Sequence, residues 1–410
     1  MEDCMYISRN AENTLEKMRL MFKSVLVTGA RQVGKSTLLK QNNPDYKYIT
    51  LDDVNALEMA LSDSLLFLKD NRPPLIIDEV QYAPSLFPTI KMLLDGENKY
   101  GQILMSGSQQ FHLMQNVTES LAGRIGILHL PGLSLRELKK MSYFEPFIPT
   151  ARYFESIRKK IIVSEYDDIW DYIFMGSMPE VYNIAGMDKE LFYASYTKTY
   201  IERDVRSLTQ VGDENQFAVF MKVLAARTAQ MLNLTAVANE VGISIPTAKR
   251  WLSILEASDI VFLLNGFSTN QTKRLIKTPK LYFTDTGLAS YLSKWPTSDV
   301  LRNSAMSGAY FETFVVNEIR KSYLNVGKEP PLYYYRNKEK KEIDVLIVEG
   351  DRLYPLEVKM YTKIDKRDVD AFSLLDKING YNRMNGGIIC LYDKLMQITD
   401  EDYCIPVNYL

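Results

Sequence analysis

Histidine is almost missing from this 410-residue chain. Two residues, His112 and His129, leave little room for a histidine-rich zinc site or a nucleophile triad built on imidazole. Cysteine is scarce too. Cys4, Cys390 and Cys404 make neither a disulfide framework nor a Cys-x-x-Cys metal site, which suits a reducing cytoplasm. No apolar run approaches membrane-spanning length, and the charged opening MEDCMYISRN is not a signal peptide, so no membrane partner is expected. Internal repeats, low-complexity tracts and long Gly/Ser linkers are absent, so domains are expected to abut through short connections. An excess of one charge is absent as well. The formal net charge is -2, and any contact with nucleic acid has to come from local basic patches. What remains is ordinary for a globular protein: 46% hydrophobic and 24% charged residues, in a chain long enough for two or three domains.

The first third holds the clearest chemistry. SVLVTGARQVGKSTLLK (24–40) reads as an apolar strand, a loop and a helix start, and it fits the phosphate-loop pattern G-x-x-x-x-G-K-S/T. Gly29, Ala30, Arg31, Gln32, Val33, Gly34, Lys35, Ser36 and Thr37 are the expected ATP-binding residues. Glycines let successive backbone N–H groups curl around phosphates. Lys35 supplies a point charge, the Ser36 hydroxyl reaches Mg2+, and the helix N-terminus adds its dipole. PPLIIDEVQ (73–81) is a buried-strand run ending in Asp78 and Glu79. An acid there holds Mg2+, often through water, and its neighbour is placed to polarise the attacking water. QILMSGSQQ (102–110) ends in polar residues that can sense a phosphate or position water, Ser108 first and Ser106 behind it. YKYITLDD (46–53) and GILHLP (126–131) supply two further strands, which predicts a five-stranded parallel sheet with helices on both faces. Ligands bind at the carboxyl ends of such strands. Arg124, just before the last strand, is a candidate for reaching a γ-phosphate in cis or from a neighbouring subunit; an ordinary surface role is the alternative.

The stretches VLVTGARQVGKSTLL, LIIDEVQYAP, LMSGSQQF and SLAGRIGILHLPGLSLREL, in this order, resemble a prokaryotic AAA-type P-loop ATPase family. The likeness extends through YIERDVRSL, TPKLYFTDTGLASYL and GAYFETFVVNEI, and so over nearly the whole chain. It implies ATP binding, a helical lid over the nucleotide, and a C-terminal domain of unknown function similar to PD-(D/E)xK nucleases. Four segments are expected: an ATPase domain (1–145), the lid (146–212), a winged-helix-like domain (213–300) and a nuclease-like α/β domain (301–410).

In the lid, Arg203 and Arg206 share a helix face near Lys198, facing either phosphate or the neighbouring Glu202 and Asp204. LNLTAVANEVGISIPTAKRWLSILEASDIVFLLNGF (232–267) reads as helix, turn, helix, strand, with Gly242 at the turn and Ser244 and Pro246 opening the second helix. That helix would carry Lys249 and Arg250 toward a DNA groove, and a wing would add Lys273, Arg274 and Lys277 to phosphates. Trp251, Leu252 and Leu255 form its core, and such modules also serve as protein contacts.

GAYFETFVVNEIRKSYL (308–324) is a helix with Phe311, Phe314, Val315 and Ile319 on its buried side. Glu312 lies among them, where an acid needs a reason; Glu318 is the weaker candidate. Strands follow at 332–337, 342–350 and 352–360, the last two joined by a hairpin through Gly350 and Asp351. With a helix at 365–375 and a strand at 386–392, the order αβββαβ is that of the nuclease fold. Glu312, Asp344 and Glu357 are then expected on one Mg2+ or Mn2+, with Lys359 orienting water or stabilising charge. A surface salt bridge between Glu357 and Lys359 is the plain alternative. Two functions follow. One is an ATP- and Mg2+-dependent enzyme acting on DNA, its nucleotide state gating the nuclease-like domain. The other is an ATP-dependent regulatory switch whose nuclease-like domain is inactive and binds DNA or protein. A small-molecule kinase leaves the trailing domains unexplained. A homo-oligomer is compatible with either function.

Overall fold

A computed structural model describes residues 6–96, 99–108, 121–161, 168–183, 186–200, 214–270, 278–361 and 364–410. Five strands, β1 (Ser24–Thr28), β2 (Lys47–Thr50), β3 (Leu75–Asp78), β4 (Ile103–Gly107) and β5 (Ile125–His129), form a parallel sheet in the order β2-β3-β4-β1-β5. β1, β3 and β4 are buried along their whole length. Strands covered on both faces read as unbroken apolar runs, which is how Val25-Leu26-Val27 and Leu75-Ile76-Ile77 appear in the sequence. All five strands finish on one edge, and the insertion of β4 between β1 and β3 opens a crevice there.

Four helices, Ala151–Arg158, Ile169–Met175, Pro179–Asn183 and Lys189–Tyr200, lie between the parallel sheet and the middle of the chain. There, helices Glu214–Ala225, Leu234–Val241 and Ile245–Ala257 pack with a small antiparallel sheet of β6 (Gln230–Met231), β8 (Lys280–Phe283) and β7 (Val261–Leu264), in that order. Gly242 ends one helix at φ 76°, and the Ser244 hydroxyl caps the next with Pro246 in its first turn.

The last segment opens with the long helix Ser307–Leu324. β9 (Leu332–Arg336), β10 (Glu342–Glu349) and β11 (Arg352–Lys359) follow as an antiparallel meander. β12 (Asn382–Arg383) and β13 (Gly386–Cys390) each pair β11 in parallel, β15 (Asp402–Pro406) pairs β13 in parallel, and β14 (Met396–Gln397) closes the edge. The expected order of elements is present, with β12, β14 and β15 added and a 3-10 helix, Lys366–Lys377, where an α-helix was expected. The opposite edge is joined to the middle of the chain: Tyr334 N–H donates to the Asn265 carbonyl (3.0 Å) and Phe267 N–H to the Tyr334 carbonyl (2.7 Å).

One apolar cluster threads the molecule from Leu15 through Val27, Trp170, Phe217, Leu281 and Phe311 to Leu410. The long helix ties its two ends together with polar bonds. The Glu318 carboxylate accepts the Leu135 N–H (2.7 Å), Lys321 donates to the Leu133 carbonyl (2.8 Å), and the Ser322 hydroxyl accepts the Phe147 N–H (2.9 Å). Glu318 therefore joins segments and lies away from Glu312, its fellow candidate. Among the described residues, no helix is long and apolar enough to cross a membrane.

Candidate functional site

The loop after β1 has the conformation that its glycines permit. Gly29 (φ 143°) and Gly34 (φ 90°) lie at positive φ, and a Cβ on Gly29 would collide with the Leu130 carbonyl. Lys35 opens the following helix, is 6% exposed, and donates to the carbonyls of Gly29 (3.1 Å) and Ala30 (2.7 Å). Asp78, at the carboxyl end of β3, accepts the Ser36 hydroxyl on Oδ1 (2.7 Å), the Ser106 hydroxyl on the same oxygen, and the Tyr48 hydroxyl on Oδ2 (2.7 Å). Burial, then the Asp78 carboxylate, raises the pKa of the Tyr48 phenol, so Tyr48 stays a donor. Glu79 sits in the left-handed region (φ 56°), a conformation retained where the surroundings enforce it. Its carboxylate accepts from the Gln81 amide and from the Ser108 hydroxyl (3.4 Å). Ser106 and Ser108 thus divide the work between the two acids: the first holds Asp78, the second Glu79.

A cavity of about 1190 Å³ opens over this loop. Lys35, Ser36 and Glu79 form its floor; Tyr6 and Ile7 from the N-terminal segment, with Pro179, Asn183, Phe192 and Tyr196 from the helical segment, form its walls. The chemistry of the lining fits a nucleotide. A glycine-backed cradle with an ammonium suits phosphate oxygens, while a hydroxyl beside a carboxylate offers the hard oxygen ligands that Mg2+ takes.

The loop is pinned from behind by residues with no local sequence signal. Arg9 donates to the Val33 carbonyl (2.7 Å), the Pro131 carbonyl (2.6 Å) and the Glu137 carboxylate (3.1 Å), and Glu137 also accepts the Asn10 N–H (2.7 Å). Both side chains are buried, so a charge-assisted fork replaces water on each.

Arg124 is placed elsewhere. It precedes β5 at the amino end of the sheet, where its guanidinium pairs with Asp95 (2.5 Å). β1 and β5 run parallel with Ser24 opposite Ile125, so Arg124 lies a whole strand, roughly 15 Å, from the phosphate loop. The reading of Arg124 as an in-cis phosphate contact is therefore corrected: the parallel register puts it on the wrong edge.

A second charged centre lies where the middle of the chain meets the last segment. Glu312 of the long helix and Asp344 of β10 come together, as expected, but around an ammonium. Lys280, at the start of β8, is 4% exposed. Its Nζ lies 3.0 Å from Glu312, 2.6 Å from Glu342 and 3.6 Å from Asp344. Burial opposes its charge, yet Glu312, Asp344 and Glu342 outweigh burial and raise its pKa. The Tyr282 hydroxyl donates to Glu312 (2.6 Å), and Asp344 accepts the Val358 N–H (3.0 Å). Glu357 pairs with Lys359 (2.9 Å), the contact that the two-residue spacing on a strand predicts. Burial, then Asp344, raises the pKa of Glu312 to about 7, and the same two causes push Glu357 well above the carboxylate range. Among the described residues, no group of three or more His, Cys, Asp or Glu side chains is arranged to hold a metal ion. The expected metal site of Glu312, Asp344 and Glu357 is corrected accordingly: a lysine from another segment supplies the positive charge at Glu312 and Asp344, and Lys359 supplies it at Glu357. No sequence signal near Glu312 or Asp344 announces Lys280.

Lys249 and Arg250 are exposed on the helix Ile245–Ala257, while Trp251, Leu252 and Leu255 are buried beneath them. Lys273, Arg274 and Lys277 lie outside the described residues, as do Arg203 and Arg206.

Residues 21–139 match the AAA domain family. Residues 166–299 and 307–410 match two domains of unknown function, DUF8612 and DUF4143. The uncharacterized protein Rv2008c of Mycobacterium tuberculosis is 28% identical over 362 residues, which is 87% of this chain and 75% of that protein. The uncharacterized protein Mb2031c of Mycobacterium bovis gives the same figures, 28% over 362 residues. Among solved structures, the Walker-type ATPase PABY2304 of Pyrococcus abyssi is similar at a TM-score of 0.44 and 14% identity, over 70% of this chain and 96% of that one. AMPPCP-bound DnaA from Aquifex aeolicus is similar at a TM-score of 0.28 and 14% identity, over 60% of this chain and 86% of that one. The N-terminal parallel sheet resembles those of P-loop ATPases, and it is followed by helical and mixed-sheet segments.

Proposed function

We propose that this chain is a Mg2+-dependent ATP-hydrolysing switch that contacts DNA through its middle segment, with a nuclease-like last segment that serves as a scaffold. The observation that carries the reading is the Ser36–Asp78 pair beside Glu79 on the floor of the cavity. In this reading Lys35 and the loop N–H groups bind the phosphates, and Ser36 and Asp78 hold Mg2+. Glu79, oriented by Gln81 and Ser108, orients the attacking water. Mg2+ bound there neutralises charge on the β and γ phosphate oxygens. Lys35→Ala should abolish ATP binding, measured by equilibrium titration; undiminished binding would sink the assignment.

The nuclease reading is set aside because Lys280 already balances Glu312 and Asp344, and Lys359 pairs with Glu357. DNA incubated with the protein and Mg2+ or Mn2+ should stay intact with or without ATP. Cleavage that disappears in Asp344→Ala would reverse this choice. For DNA contact, the support is the exposure of Lys249 and Arg250 on the second helix of a helix–turn–helix. Replacing both with Ala should weaken DNA binding about tenfold or more and flatten the salt dependence by roughly two counterions. An unchanged salt slope would remove DNA from the proposal. Arg124, on the far edge of the sheet, enters only as a residue offered to a neighbouring copy in a homo-oligomer.

A further inference from the structure

β8 connects the two charged centres. At its start stands Lys280, within the carboxylate cluster, and two residues beyond its end stands Asp285, which is 3% exposed. The Asp285 carboxylate accepts the N–H (2.6 Å) and the hydroxyl (2.8 Å) of Ser177 on one oxygen. Its other oxygen accepts the Tyr193 hydroxyl (2.7 Å) and the Leu288 N–H (2.6 Å). Ser177 is the gateway to the cavity wall. Its carbonyl accepts the Leu133 N–H (2.7 Å), and two residues later Pro179 rests over Gly34 of the phosphate loop. The joint is tight: a Cβ on Gly176 would collide with Tyr193 and Asp285, and one on Gly287 with the Met175 carbonyl.

The strand between these ends is suited to transmit a displacement. Leu281, Tyr282 and Phe283 are fully buried, and β8 is the middle strand of its sheet, bonded to β6 on one side and β7 on the other. From Lys280 to Asp285 it spans roughly 17 Å. A packed strand held on both sides is the kind of rigid element proposed to carry coupling between distant sites. Tyr282 adds a second link from the same strand to Glu312.

We propose that Asp285 is a positioning residue for the wall of the nucleotide cavity, and that β8 couples the placement of that wall to the Lys280–carboxylate cluster. The proposal rests on the reading of the cavity as an ATP site. ATP that shifts Ser177 and Pro179 then shifts Lys280 among Glu312, Glu342 and Asp344. A change at Lys280 is then expected to alter ATP affinity, within the usual range for such coupling of about 5–150-fold.

The test uses the full chain, with ATP titrations and backbone hydrogen exchange at Val358, whose N–H is held by Asp344. In the wild type, saturating ATP should change exchange at Val358 about fivefold or more. In Asp285→Asn that response should vanish although ATP, at a higher concentration, still binds. Lys280→Met should shift the ATP dissociation constant by at least about fivefold, and adding it to Asp285→Asn should bring no further shift. Should Lys280→Met not fold, Tyr282→Phe removes only the hydroxyl bond to Glu312 and should shift ATP affinity in the same direction by less. ATP binding with an unchanged Val358, or with equal responses in wild type and Asp285→Asn, overturns the coupling while leaving the ATP site intact. Absence of ATP binding in the wild type overturns the ATP reading itself, and the coupling with it.

Discussion

Glu79→Gln should leave ATP bound and slow its turnover by about 10²–10⁴-fold, the range that a positioned base contributes. The substitution keeps the size of the side chain and its hydrogen-bond partners, Gln81 and Ser108, and removes the negative charge that draws a proton from water. Binding should survive because the phosphate contacts belong to Lys35 and the loop. The measurement is a pair of titrations: nucleotide affinity at equilibrium, then steady-state phosphate release. A fall in affinity that matches the fall in rate would mean that Glu79 shapes the cavity and does not act on water. Asp78→Asn should behave differently. It disturbs Ser36, Ser106 and Tyr48 together, so Mg2+-dependent binding is expected to suffer along with the rate.

Lys280→Met carries the largest expected cost in stability. Removing one partner from a buried charge cluster leaves the others uncompensated, and such losses run at about 3–5 kcal/mol. Here Glu312 and Asp344 would lose the ammonium between them, while Glu342 would keep only Arg336, at 3.6 Å. The loss should depend on pH with a definite sign. Even beside Lys280, the Glu312 carboxyl titrates at about 7 in the folded chain against an ordinary 4.5. The folded state therefore holds a proton that the unfolded state has released. Stability linked to this group is fully present below about 4.5 and is lost as the pH rises through about 7. Taking Lys280 away removes an influence that lowers this pKa, so the loss extends further upward. Urea unfolding should show the deficit of Lys280→Met smallest near pH 5 and largest above roughly pH 7.5. A deficit that is constant across that range would mean that the methionine is simply a poor fit.

The elements that could be read from the sequence are those whose chemistry is local. The phosphate loop needs residues that are adjacent in the chain, so GARQVGKST states it completely. The buried runs of β1 and β3 mark themselves by unbroken apolarity, and Ser244 with Pro246 marks a helix start within three residues. Glu357 and Lys359 met as a strand's two-residue period requires. The misreadings concern partners distant in sequence. Arg124 lies in a plausible place along the chain, but the parallel register decides which edge it occupies, and that register is a tertiary fact. Glu312, Asp344 and Glu357 look sufficient for a cation in the sequence because their shared neighbourhood is visible there, whereas Lys280 enters from another segment. Arg9 and Glu137 are 128 residues apart and leave no periodic trace in the sequence.

The helix Ser307–Leu324 has a consequence for ancestry. Its first half carries Glu312 to the charged cluster, and its second half is bolted to the stretch from Leu133 to Phe147, just past the parallel sheet, through Glu318, Lys321 and Ser322. Three stretches that separate family comparisons recognise as distinct thus share one interior, running from Leu15 to Leu410, beside smaller apolar clusters within the parallel-sheet part and the last segment. Such a chain cannot exchange its last stretch with a relative's as a bead on a string is exchanged. A graft would bring a foreign partner for Leu133, Leu135 and Phe147, and with it buried polar groups left unmatched. Where they share that interior, the three parts are constrained to change together.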